Sequence, residues 1–351
     1  MSDKSQKMSV LSQLKQASLP LSLPEISALV VGAINERTLR RWLVSWVEAG
    51  VLARTGKKRG TRYAYISDQK VLDVDNIDKN AKHSSAERSR SASPLFLHFI
   101  AEHQRPILLE QIRDLWTHSS TALEGNTLTL GDTHAVLGMG LTVSGKPLNE
   151  HQEIVGHAKA IDLLYQSLAE PLTKELIFDL HKAVQTEIIH DIFKPIGAWK
   201  VEVNGTYAVT SNDEQMYLEY ANPMHVSVLM DEVIETINNT DASTITPDNA
   251  VKHYAKIHMA IAHIHPFFDG NGRLARLISN ILLLKAGLPP LVIEKSQRRE
   301  YIECLADYQI KVGQLTNTTG VWPDEDQLKE FEVFCERAYD VTKALIEKVR
   351  K

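Results

Sequence analysis

The stretch from Lys252 to Gly287, KHYAKIHMAIAHIHPFFDGNGRLARLISNILLLKAG, limits the possible folds of this 351-residue chain most sharply. KHYAKIHMAIAHI reads as an apolar helix. HPFFDGNG interrupts it, because Pro266 and two glycines are poor helix interiors. RLARLISNILLLKAG restarts a helix that stops at Gly287. Gly270, Asn271 and Gly272 are therefore expected at a helix N-terminus, where unpaired backbone N–H groups and the positive end of the helix dipole point outward. Glycine lets a ligand approach the backbone closely, so this is an anion site in the manner of a phosphate-binding loop.

The side chains around it extend that reading. Arg273 adds a forked cation on the first turn, and Arg276 lies three residues on, on nearly the same face. Two arginines and a nest of amides suit a polyphosphate better than a single carboxylate. Asp269 would repel that anion unless a cation sits between them, and Mg²⁺ binds in that way, through one carboxylate and phosphate oxygens. His265, close to the same helix N-terminus, is expected to be neutral near pH 7 and able to take a proton. A base, a metal-held polyphosphate and an anion hole are the parts of a phosphoryl or nucleotidyl transfer site. A zinc reading of His263 and His265 lacks a third ligand at suitable spacing. His253, His258 and His263 are expected in the core or behind the site.

Most windows from Leu95 onward carry apolar residues at helical spacing. GAWKVEVNGTYAVTS is the exception. It alternates about Asn204-Gly205, which predicts a hairpin turning there. Between residues 1 and 66, eleven basic residues face four acidic ones, a net +7 that leaves −12 for the rest of the chain. That head reads as three helices and a hairpin, with Asn35 as a helix N-cap and GKKRG as the hairpin tip. The order resembles a winged helix-turn-helix domain. The resemblance implies DNA contacts from Arg37, Arg40 and Arg41 on the third helix and from Lys57, Lys58 and Arg59 on the wing. A protein partner or a second copy of the chain, giving a homodimer, is the alternative. Residues 67–94 are serine-rich and polar and read as a linker. No apolar run reaches the roughly 20 residues of a membrane helix, no secretion signal is evident, and the two cysteines match no metal or redox spacing. A cytoplasmic protein that does not enter the membrane is expected.

HPFFDGNGRLAR resembles the signature of the Fic family at every defining position: His265, Phe267, Asp269, Gly270, Asn271, Gly272, Arg273 and Arg276. The resemblance implies a mainly α fold, with a helical Fic core over residues 95–315, a small hairpin called the flap, and a helical extension over 316–351. It implies transfer of AMP from ATP to a hydroxyl side chain of a protein, or of the chain itself, with release of pyrophosphate. His265 would deprotonate the hydroxyl and Asp269 would hold Mg²⁺. Gly270, Asn271 and Gly272 would cradle the α-phosphate, Arg273 would grip the outer phosphates, and Phe267 would anchor the loop. Tyr301 matches a position lining the nucleotide pocket, or is a core tyrosine. Lys200, Val203 and Asn204 of the flap would clamp the target by strand addition.

A second resemblance lies upstream. Ser120 and Glu124 are four apart on a helix near 114–125 that Gly125 ends, and HSSTALEGN resembles the inhibitory motif of the family. It implies that Glu124 competes with the γ-phosphate for Arg276, so that the resting enzyme is nearly silent. Two alternatives stay open: AMP removal using Glu124, or transfer of another nucleotide; and a DNA-binding regulator whose Fic core senses ATP.

Overall fold

The computed structural model describes residues 10–11, 14, 21–29, 35–48, 52–55, 61–65, 94–186, 191–209 and 215–350. The chain divides into two compact units, residues 1–91 and 92–351.

In the first unit, strand β1 (Leu21–Ser22) leads into helix α1 (Leu23–Leu29), with Pro24 in its first turn, where a missing N–H costs nothing. Helix α2 (Glu36–Glu48) begins at Asn35, whose Oδ1 accepts from the amide of Arg37. It buries Leu39, Trp42, Leu43 and Trp46 together with Ile26, Leu52 and Tyr63. Strands β2 (Leu52–Thr55) and β3 (Arg62–Tyr65) pair antiparallel, and β1 adds to the other edge of β3, giving the order β1-β3-β2. Arg37, Arg40 and Arg41 are all exposed on α2, with Arg40 paired to Glu36 at 2.7 Å. Lys57, Lys58 and Arg59, most of the expected first helix, and the linker up to residue 93 lie outside the described residues.

The second unit is helical. Helix α3 (Arg105–Leu123) opens with a proline in its first turn and is capped at its C-terminus by Glu124. It begins nine residues before the inhibitory helix expected near 114, because Pro106 is a better start than any residue inside the run. Helix α4 (Leu130–Met139) starts at a reciprocal Thr129–Asp132 capping box, and α5 (Leu148–Ser167) follows. Helix α6 (Lys174–Val184) is capped by Thr173 and α7 (Pro223–Asn239) by Asn222. Helix α8 (Ala250–Ile264) is the centre: twelve of its fifteen residues are buried, as a helix apolar on every side must be. It packs against α7, α9 (Asn271–Ile278), α10 (Ile281–Lys285) and α12 (Lys329–Arg350). Helix α11 (Arg298–Val312) packs on α12, which places Phe331, Phe334, Cys335 and Ala338 in the same core as α8. No helix among the described residues is long and apolar enough to cross a membrane.

Two expected elements differ. RLARLISNILLLKAG is not one helix but α9 and α10. Asn280 breaks it by donating to the carbonyls of Arg276 and Leu291 and accepting from the Leu291 amide, a side-chain competitor for backbone bonds. The hairpin does not turn at Asn204-Gly205. Its strands are β4 (Gly205–Val209) and β5 (Gln215–Glu219), paired from Gly205 opposite Glu219 to Val209 opposite Gln215. Residues 200–204 form an irregular approach to β4: the Lys200 amide and the Asn204 side chain bond to the loop after α8, and only the Asn204 carbonyl reaches across to the Tyr220 amide beyond β5.

Several histidines are buried with the apolar core. Burial holds His157 and His258 well below the ordinary imidazole pKa, and pushes His181 and His263 down to about 4. Each stays neutral in the fold, while in the unfolded chain it protonates below about 6.5. The unfolded state then binds more protons, so stability present above pH 6.5 is lost as pH falls towards 4, by up to about 1.4 kcal/mol per pH unit for each histidine. The urea midpoint of the chain, followed by tryptophan fluorescence, is expected to drop between pH 7 and pH 5. A midpoint independent of pH across that range would contradict this account of the core.

Candidate active site

His265 ends α8, and its backbone φ of 52° makes it the only non-glycine residue with positive φ among those described. That conformation costs on the order of 1–3 kcal/mol and persists only where neighbours enforce it. Here the next residue is Pro266, which cannot continue a helix, and the His265 amide still closes a bond to Ile261 O at 3.0 Å. The imidazole stacks on Tyr220, with ring centroids 3.8 Å apart and planes 2° from parallel. Nδ1 lies 3.3 Å from the Ala262 carbonyl. A carbonyl only accepts, so Nδ1 carries the proton and Nε2 carries the lone pair. Burial, then the nearby Lys200 ammonium, push the imidazolium pKa down to about 3. The expected neutrality is therefore present, but its cause differs. His265 sits at the C-terminal end of one helix and not at the N-terminus of the next.

The loop from Pro266 to Gly270 is closed by its own side chains. Asn271 Oδ1 accepts from the Phe267 amide and Nδ2 donates to the Phe267 carbonyl, both at 2.9 Å. The Asn271 side chain is thus spent on the loop, which leaves its backbone amide for the anion cradle expected from the sequence. Phe267 is fully buried, stacked on His181 at 3.9 Å and packed against Trp199. His181, which no local motif marked, accepts from the Gly197 amide at Nδ1 and meets the Asp269 carbonyl with Nε2 at 3.1 Å.

Gly270 caps α9 in the left-handed conformation, with φ 80°. The first bond of the helix runs from the Leu274 amide to Gly270 O, so the amides of Asn271, Gly272 and Arg273 have no acceptor within it. Gly272 is required for space as well, since a Cβ there would collide with the Glu124 carboxylate. The anion expected at this helix end is matched in the structure by Glu124 itself.

Glu124 and Arg276 are an ion pair, Oε1 to Nη2, at 2.6 Å. Arg276 is buried and held four times over: Nη2 also donates to the Ser120 carbonyl, Nε to Ser120 Oγ, and Nη1 to the Tyr301 hydroxyl. Tyr301 is buried too and reaches on to His258 Nε2 at 3.1 Å. Arg273 donates to Val184 O, Gln185 Oε1 and Asp269 Oδ2. The Asp269 side chain is 59% exposed and lines a hollow of about 250 Å³ with His181, Gln185, Lys194 and Phe268. His265 and Gly272 line a different cleft of about 460 Å³, whose walls include Tyr220, Ala262, Tyr301 and Gln309.

The flap residues separate. Val203 is 55% exposed at the approach to β4. Lys200 is 3% exposed and points inward, so it cannot clamp a target chain. Asn204 is half-buried and donates to Phe267 O at 3.1 Å. Thr206 and Tyr207 of β4 instead line the cleft beside His265.

A helical core that presents a histidine, a glycine-capped helix end and a short hairpin around one cleft defines the class. Residues 171–283 match the model of the Fic/DOC family. It is 31% identical over 280 residues to the protein adenylyltransferase Fic of Drosophila mojavensis, covering 73% of this chain and 52% of that protein. With the Drosophila melanogaster protein of the same name it shares 34% identity over 190 residues, 54% of this chain and 36% of the relative. The chain thus spans about half or less of the length of these relatives. Among solved structures, a Fic-domain-containing signaling protein from Bacteroides thetaiotaomicron superposes with a TM-score of 0.60 at 24% identity, covering 77% of this chain and 96% of that one. Fic-1 from C. elegans superposes with a TM-score of 0.53 at 20% identity and 99% coverage of both chains.

The Glu124 carboxylate lies against Gly272 and pairs with Arg276, so its removal is expected to open space at the start of α9 and to free one face of Arg276. Thermal melts should then show ATP with Mg²⁺ stabilising Glu124→Gly by several degrees while leaving the wild type almost unmoved; at a hundredfold excess over Kd the linkage amounts to about 2.7 kcal/mol. Equal responses of the two proteins would remove Glu124 from the site.

Proposed function

We propose that this chain is an autoinhibited protein adenylyltransferase. It moves AMP from ATP to a Ser, Thr or Tyr hydroxyl of another protein or of the chain itself. The observation that carries the reading is the meeting in one cleft of a neutral His265 with Gly272, at the start of α9, and with Tyr301, which binds the buried Arg276 that Glu124 pairs.

In this reading the target hydroxyl oxygen attacks the α-phosphorus of ATP while His265 Nε2 takes its proton. The bond from the α-phosphorus to the bridging oxygen of the β-phosphate breaks, and pyrophosphate leaves. The amides of Asn271 and Gly272 meet the charge that grows on the α-phosphate oxygens, where preorganised donors help most. Arg276 holds the outer phosphates once Glu124 has left. Tyr301 fixes that guanidinium from the other side and walls the nucleotide cleft. Asp269, an exposed carboxylate at the loop, suits a hard cation, and Mg²⁺ held there would neutralise phosphate charge. Thr206 and Tyr207 lie where a target segment would lie against the flap edge.

Glu124 acts as the brake by direct competition. Its carboxylate and the γ-phosphate want the same guanidinium. Ser120 anchors Arg276 from the turn before, so α3 contributes both the fixed and the displaceable contact. The free thiols Cys304 and Cys335 suit a reducing cytoplasm. For the head, the exposed Arg37, Arg40 and Arg41 on α2 favour DNA as its partner.

Two experiments test these readings. Wild type, Glu124→Gly and Glu124→Gly/His265→Ala are incubated with α-labelled ATP, Mg²⁺ and cell lysate. Label is expected on protein with the single variant only; no label with any of them would overturn transferase chemistry. Separately, the full chain should bind a DNA duplex with an affinity that falls steeply between 50 and 200 mM salt, and Arg40→Ala/Arg41→Ala should lower that slope. Unaltered binding by that variant would remove α2 from the contact.

A further inference from the structure

Among the described residues no carboxylate pairs with Lys200, yet its ammonium is buried. Its contacts are all to the catalytic loop and the root of the flap. The Lys200 amide donates to Pro266 O at 2.9 Å, while Nζ reaches Ile264 O at 3.4 Å and Asn204 Oδ1 at 2.6 Å. The two carbonyls belong to the residues on either side of His265, the one non-glycine residue in the left-handed region among those described. Asn204 passes the connection on, donating from Nδ2 to Phe267 O and accepting the Tyr220 amide at its carbonyl, 3.0 Å away. Tyr220 then stacks on His265, and the Lys200 ammonium lies 5.9 Å from the centroid of the same ring.

We infer that Lys200 is a positioning residue for His265, its ammonium holding the Ile264 carbonyl that precedes the base and tying Asn204, at the root of the flap, to the catalytic loop. This rests on the transfer reaction proposed above. A lysine suits the role because every neighbour it bonds is an oxygen acceptor, and an ammonium carries three donors. Its charge has a second consequence. A cation beside His265 disfavours a second one, so the imidazole stays an unprotonated base. The charged and titratable groups facing this pair are Asp269 of the loop, Glu219 and Tyr220 at the end of β5 and, around the cleft, Tyr207 of β4 with Arg298, Arg299, Tyr301 and Glu303 of α11. Of these, Glu219 supports the Lys200 charge, and Asp269 favours the His265 proton against the opposing effect of Lys200. Burial alone draws the ammonium down to about 7, so the lysine holds its charge most fully below neutral pH, where it must oppose protonation of His265.

The test reads His265 directly. Full-length protein with labelled histidine is titrated by NMR, with the His265 signal assigned by its loss in His265→Asn. Lys200→Met is expected to raise the His265 midpoint by at least one pH unit, and Lys200→Arg to leave it within half a unit. Lys200→Gln, which keeps an amide donor for Asn204 but no charge, should behave as Met does and serves if the Met protein fails to fold. In the Glu124→Gly background, Lys200→Met should lower kcat at least tenfold, keep KM for ATP within threefold, and move the acid limb of kcat upward with the NMR midpoint. Arginine should restore kcat to within threefold. An unmoved His265 midpoint in a folded, uncharged variant overturns the inference, as does a loss confined to KM. If Glu124→Gly itself transfers no label, the proposed reaction fails, while the NMR titration still decides what Lys200 does to His265.

Discussion

The site depends on a buried guanidinium. Arg276 is taken out of water on α9 and must find acceptors, because an unpaired buried charge costs several kcal/mol. It finds Ser120 twice, Glu124 and Tyr301. Three of those four bonds run to one end of α3, which locks that helix end against α9 and leaves Arg276 no room to swing out. Tyr301 and the fully buried His258 complete the shell. Only Glu124, with its side chain 43% exposed, is able to leave without opening the core. Release of Arg276 by this route moves one carboxylate and not a domain.

A second constraint is the abrupt end of α8. A helix with twelve of its fifteen residues buried has to stop where its last side chain becomes useful. Pro266 stops it, the left-handed His265 turns the chain, and Asn271 closes the following loop through both side-chain atoms on Phe267. Phe267 and His181 fill the space beneath. The strain at His265 is met by bonds to the carbonyls on both sides of it. The rigid loop then delivers α9 with its amides facing out. Base and anion site are held at a fixed spacing by one continuous piece of chain.

Much of this was legible in the sequence, for a reason of scale. The interruption of an apolar helix by HPFFDGNG, the capping glycine and the arginine three residues beyond its neighbour are local features, written within a dozen residues. The i, i+4 relation of Ser120 and Glu124 is local too, and the structure brings both to Arg276. What misled the reading was also local. Alternation about Asn204-Gly205 looked like a hairpin turn because β-propensity says nothing about which partner a backbone group will bond. Asn204 and Lys200 bond to the loop after α8, so the strand starts at Gly205 instead.

The sequence by itself determined a helical chain, a glycine-rich helix start with a histidine just before it, and a serine and a glutamate one turn apart at the end of another helix, because helix periodicity and capping act over a few residues. Only the tertiary structure decided how those parts function together. It showed that His265 is neutral through burial and the nearness of Lys200, that Asn271 spends its side chain on the loop, and that Lys200 faces inward. It also brought in His181 and Tyr220, residues 84 and 45 positions from His265, with no local mark of their roles. Desolvation and charge proximity depend on which distant segments pack together, and that is a property of the folded chain alone.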